Sequence, residues 1–196
     1  MPRQQRATAS VDAILEAATR VLQTDGFAKT TTNRIAKVAG VNVALVYRYF
    51  AGKEAIVGEL VDRAAAQTLA AIRGAVEATA DAPFADALRA VLEAAIDTPG
   101  VPALHRELVE HIDVTKRRAR IDELRAQTTA LFAELVAARR RELRALADPA
   151  ATMFVLHHVI EAASHAVAFY RPPSISRERA VTALHDIVLM SLARAR

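Results

Sequence analysis

A chain of 196 residues with 53% hydrophobic and 24% charged side chains has apolar material for one or two compact domains and is not compositionally disordered. It holds no cysteine, which excludes disulfides, thiolate metal sites and thiol nucleophiles, and its 6 glycines and 7 prolines favour an all-α fold of long helices. The formal charge of +4 is uneven: residues 1–53 carry eight Lys/Arg against three Asp/Glu, and the remainder is close to neutral. A basic head on a neutral body suits a polyanionic partner, although a solvated charged surface accounts for the same distribution. The N-terminus is basic and then amphipathic, with Asp12, Glu16 and Arg20 interrupting any apolar run. Neither a secretory leader nor a membrane span is expected, and a cytoplasmic protein is.

In chain order, Ser10 is placed to cap a first helix with Val11, Ile14, Leu15, Ala18, Val21 and Leu22 at helical spacing, ending near Asp25 before Gly26. Thr31 predicts the cap of a two-turn helix ending at Gly40, and Asn42 the cap of a third through about Tyr49. Two short helices joined by a tight turn and braced by a longer first one predict a helix-turn-helix. Lys53-Glu54 opens a long helix that runs through the seventies. Beyond it, Pro83 starts a helix that Thr98-Pro99-Gly100 ends, and Pro102 starts another to about Asp113. Further helices are predicted near 118–146, 150–170 and 176–194, about nine in all. The division expected is 1–53 for the head and 54–196 for the body.

The segment VYRYF puts three aromatic residues into four positions of a chain that is only 5% aromatic. With Asn42 as cap, Val46 and Phe50 share one face and predict core, packed with Val41, Ile35 and helix 1. Val43, Ala44, Leu45, Arg48 and Tyr49 turn to other faces. Small apolar side chains at the start of a solvent-facing helix suit thymine methyls in a groove, and Asn42 or Arg48 suits base edges or phosphates. Tyr47, Tyr49 and Lys53 then flank the reading helix as phosphate donors. Thr31 is a cap whether or not it touches DNA, and Arg34 is either a contact or solvated.

The run TTTNRIAKVAGVNVALVYRYFAGKEAI resembles the DNA-binding domain of the tetracycline-repressor-like (TetR/AcrR) family of transcriptional regulators, over residues 10–57. The resemblance implies that Thr31, Tyr47, Tyr49 and Lys53 fall on phosphate-contacting positions and that residues 42–45 enter the major groove. Thr32 and Arg34 complete the expected DNA-binding set of Thr31, Thr32, Arg34, Asn42, Val43, Ala44, Leu45, Tyr47, Arg48, Tyr49 and Lys53. Asn42, Leu45 and Val46 stand where serine, threonine and leucine are common in the family, which bears on the operator sequence and not on the docking mode. The resemblance also implies that the last two helices pair with their twins in a dimer and that helices 4 to 7 enclose an effector pocket.

The body fits that division. The last helix carries Ala180, Val181, Leu184, Ile187, Val188 and Ser191, an apolar stripe expected to be partly bare on a monomer. With Glu161 and His165 of the penultimate helix, the expected dimer set is Val181, Leu184, Ile187 and Val188. His158, Glu161 and His165 recur on one face, which suggests zinc, but no fourth ligand accompanies them and a structural histidine–carboxylate pairing is preferred. Effector lining is expected from Leu92, Ile96, Leu104, Leu108, His111, Phe132 and His158, around an apolar molecule with one or two polar handles. The basic run at 139–141 reads as a solvated helix end. No catalytic frame or cofactor loop is present, so the expectation is a non-enzymatic homodimeric regulator of double-stranded DNA, with no cofactor or metal and no membrane partner. It is expected to act as a repressor released from a near-palindromic operator by a small effector. The rivals are an apolar-ligand carrier without sequence-specific recognition and a non-specific DNA binder.

Overall fold

Glycine and cap chemistry set the boundaries of the first three helices. Helix α1 (Arg3–Lys29) is broken at Gly26, whose φ of 73° and ψ of 167° leave the helical region. Its last turn is tied back by Thr30, whose amide and hydroxyl both donate to the Gly26 carbonyl. The helix starts well before Ser10, contrary to expectation: the Ser10 hydroxyl bonds the Arg6 carbonyl from inside the helix. Helix α2 (Thr32–Ala39) is capped by Thr31, which accepts from the Arg34 amide at 3.1 Å, and ends at the left-handed Gly40 (φ 69°). Helix α3 (Val43–Tyr49) is capped by Asn42, which accepts from the Ala44 amide at 2.8 Å.

The computed structural model describes residues 3–97 and 114–193, and among them every regular element is helical. After α3 come α4 (Lys53–Ala78), α5 (Phe84–Ile96), α6 (Val114–Ala138), α7 (Pro149–Phe169) and α8 (Arg177–Leu192). The helix expected from Pro102 lies outside the described residues. Where one helix was expected near 118–146, α6 stops at Ala138 and a short 3-10 turn, Arg140–Glu142, follows. Leu143 is then extended and bridges Ala193, while Arg144 donates its amide to the Leu192 carbonyl at 2.9 Å.

The described chain packs as two units. Residues 3–64 with Val114 form the first, whose core joins Ile14, Leu15, Val21, Ile35, Val46, Phe50 and Ile56. α1 packs on α2, and α2 on α3. Residues 65–97 with 115–193 form the second, where α5 packs on α7 and α8 around Leu88, Leu92, Leu135, Val181 and Val188.

A buried arginine departs from expectation in the second unit. Arg139 is only 6% exposed, and its guanidinium donates to the carbonyls of Thr79, Ala80, Ala82 and Leu135. The basic run at 139–141 is therefore not simply a solvated end. A planar fork with five donors satisfies the carbonyls of the turn that follows α4, close to a helix C-terminus, where a cation is favoured. Next to it, the Glu142 carboxylate accepts from the Phe84 amide at 2.8 Å. It caps α5, because Pro83 has no side chain that could.

Candidate functional site

The turn Gly40–Val41–Asn42 sets α3 across the end of α2, and its sequence leaves one face for the core and one for solvent. Val46 is fully buried and Phe50 nearly so, as the spacing predicts. On the opposite side Asn42, Ala44 and Arg48 are exposed, and Tyr47 is 56% exposed. Val43 and Leu45 are half-buried and Val43 packs against the core, so the outward apolar surface is narrower than the three consecutive residues suggest. Tyr49 is likewise half-buried on the core, with the Arg48 guanidinium 5.9 Å from its ring centroid.

The flanking groups are held by hydrogen bonds within the head. The Tyr47 hydroxyl lies 2.9 Å from Oγ1 of Thr32, whose side chain is buried while Thr31 is exposed. This contact fixes the phenol beside the N-terminus of α2 and orients its remaining lone pairs or proton outward. Arg34 Nε donates to Asp25 at 3.1 Å, and this bond, with a further one from Thr24, holds the Asp25 carboxyl below the usual carboxylate range. Lys53 Nζ donates to the Phe27 carbonyl at 2.9 Å and sits 4.2 Å from the Phe27 ring centroid. The ammonium has three protons, so two are left for an anion. That the lysine braces α4 against the end of α1 was not visible in the sequence, because 26 residues separate the partners.

The second unit brings the other candidate residues together unevenly. Leu92, Ile96 and Phe132 belong to its core, and His158 is half-buried with Nδ1 on the Phe154 carbonyl at 2.8 Å. Leu104, Leu108 and His111 lie outside the described residues. The apolar stripe on α8 is not bare: Val181 and Val188 have no exposed surface and Leu184 has 5%, because α8 packs on α5 and α7 of the same chain. That corrects the expectation that Val181, Leu184 and Val188 offer an intermolecular surface. Of the expected dimer set Glu161 and Ile187 are exposed, and Ile187, at 52%, is the only apolar one. Glu161 pairs with Arg125 of α6, Nε donating at 3.1 Å, and no metal cluster is found among the described residues. Sequence reasoning overlooked a second exposed group, Phe154, Val155 and Val159 on α7 with Met190 on α8. Their spacing of one, four and five carried the information, masked by a helix apolar on most sides.

Helices α1 to α3 form a helix-turn-helix head, and a helical unit follows it in the chain. Residues 14–60 match the model of the bacterial regulatory proteins of the tetR family. The whole chain is similar to a tetR-family regulatory protein from Rhodococcus RHA1, at 19% identity and a TM-score of 0.72 over 95% of this chain and 98% of that one. It is similar to the ketosteroid regulator KstR2 of Mycobacterium tuberculosis, at 18% identity and a TM-score of 0.67 over 94% and 95%. It also resembles SmeT, solved in complex with triclosan, at 20% identity and a TM-score of 0.68 over 95% and 92%. No curated protein is significantly similar in sequence. Residues 14–60 thus match the tetR-family model, and the chain as a whole has the fold of the solved regulators. No described helix is long and apolar enough to cross a membrane.

Proposed function

We propose that this protein is a ligand-responsive, homodimeric repressor, non-enzymatic and cytoplasmic, that leaves a near-palindromic operator when a small effector binds. The observation that carries the reading is the outward face of α3, where Asn42, Ala44, Tyr47 and Arg48 stand exposed on a helix held from behind by Val46 and Phe50. Asn42 and Arg48 supply donors for base edges or phosphates, and Ala44 supplies a methyl-sized apolar contact. Tyr47, Tyr49, Thr31 and Lys53, with Thr32 and Arg34 behind them, set the register on the backbone.

The exposed Phe154, Val155, Val159, Ile187 and Met190 support self-association through α7 and α8, since these two helices pack together and bare this much apolar surface. A two-fold axis there places two reading helices on successive turns of DNA. The effector binds in the body, with Leu92, Ile96, Phe132 and His158 among its neighbours. The triclosan bound in the SmeT complex supports a mostly apolar molecule. Its higher affinity for the DNA-incompetent state weakens operator binding, and linkage requires the operator to weaken effector binding by the same factor.

Selection of sites from fragmented genomic DNA at fixed salt tests the reading, with the native protein beside Tyr47→Ala and Arg48→Ala. A palindromic motif bound by the native protein and weakened in both variants is expected. Uniform, salt-dependent binding to all fragments points instead to a non-specific binder.

A further inference from the structure

The inner face of α7 belongs to the core of the second unit: Leu156 is buried in it, and Ile160, Ala163 and Val167 pack against it. Two buried polar residues flank this face, His157 at 6% exposure and Ser164 at 5%. Neither His157 Nε2 nor Ser164 Oγ has a hydrogen-bond partner among the described residues. Buried polar atoms are rarely left this way, because they forfeit water without replacing it. A helical hydroxyl has an easy remedy, the carbonyl one turn back. Thr19, Thr79, Thr129 and Ser191 all use it in this chain, whereas Ser164 does not.

The two orphan groups are seven residues apart, which places them about 10 Å apart along one face at 1.5 Å per residue. Ile160, packed against the core, lies between them along the helix. Among the described residues, the cation next to His157 is already taken: the Arg125 guanidinium pairs with Glu161 through three contacts of 3.1–3.3 Å. Burial also favours the neutral form of the His157 ring. An ionised group brought here loses its hydration and finds no uncommitted counter-charge among the described residues.

We infer that His157 and Ser164 are two anchor points of the effector site, and that the effector is an elongated, uncharged, mostly apolar molecule with a hydrogen-bonding group towards each end. The inference rests on the ligand-responsive reading above and specifies its ligand.

The test uses the full chain and three probes of equal length: decane-1,10-diol, 1-decanol and decanedioate. Thermal unfolding is followed for the native protein, Ser164→Ala and the double variant His157→Leu/Ser164→Ala. In the native protein the diol is expected to raise Tm more than the mono-alcohol, and the dianion not at all. Without probe, both variants are expected to melt at or above the native Tm, since each loses an unsatisfied polar atom. With probe, they are expected to lose the advantage of diol over mono-alcohol. No diol shift in the native protein, an undiminished shift in the variants, or a fall in the probe-free Tm of Ser164→Ala overturns the inference. The genomic selection separates the two readings. Discrimination among probes without a DNA motif sinks the regulator and leaves the site, and a motif without discrimination sinks the site alone.

Discussion

Single side chains in this protein do work that their neighbours in sequence do not announce. Arg139 is the clearest: one guanidinium satisfies carbonyls in the turn that follows α4 and in α6 while almost wholly buried. Arg139→Met leaves those carbonyls unpaired and is expected to cost about 3 kcal/mol in denaturant unfolding, with Arg139→Lys recovering little because a point charge cannot span the fork. Lys53 poses a different question, since its ammonium is bound to the Phe27 carbonyl and ring and is also proposed to meet a phosphate. Lys53→Met is expected both to lower the stability of the head by about 1 kcal/mol and to reduce the salt slope of operator binding by about one. Loss of stability with an unchanged slope assigns the residue to bracing alone. Burial lowers the His157 and His165 pKa values beneath the ordinary 6.5. The unfolded chain therefore binds protons that the folded one does not, so this contribution is intact above pH 6.5 and is lost as pH falls through the folded values. Replacing His157 by Leu is expected to flatten that part of a stability–pH profile.

At the scale of elements, the stop and start signals of the head are local and independent. Gly40 sits at φ 69° with open space where a Cβ would stand, so Gly40→Ala incurs backbone strain and no clash. It is expected to cost about 1 kcal/mol and to leave the helix-turn-helix intact, seen as a lower unfolding midpoint with unchanged helical circular dichroism. Helix α5 is the opposite case. Its cap comes from Glu142, 58 residues away, so Glu142→Ala is expected to lower stability by about 1 kcal/mol through an element it does not belong to. Amide exchange at Phe84 and its neighbours reports whether the loss is local to that end.

For the whole molecule, the exposed apolar group on α7 and α8 is the feature a lone chain leaves unexplained. A double change, Phe154→Glu with Met190→Glu, is expected to give a monomer in sedimentation while retaining the helical content of the native protein. If the regulator reading holds, that monomer binds a half-site weakly and the full palindrome no better. An unaltered sedimentation coefficient removes this surface from the proposal.

Much of the head was legible because its determinants are short in range. Thr31, Asn42, Gly26 and Gly40 act on amides and dihedrals within a few residues of themselves, and the spacing of Val46 and Phe50 identifies a buried face without reference to any distant partner. The sequence by itself thus determined the helical class, the helix-turn-helix and which face of α3 is core. Tertiary structure alone decided the remainder. A stripe of aliphatic residues on α8 reads the same whether α5 or a second chain covers it, and packing showed that α5 and α7 cover most of it. A basic run reads as solvated until a distant turn supplies carbonyls for Arg139, and a polar residue on an apolar helix reads as satisfied until its surroundings are assembled. Periodicity records that a side chain is buried, whereas the identity of its partner depends on which segments the fold brings beside it.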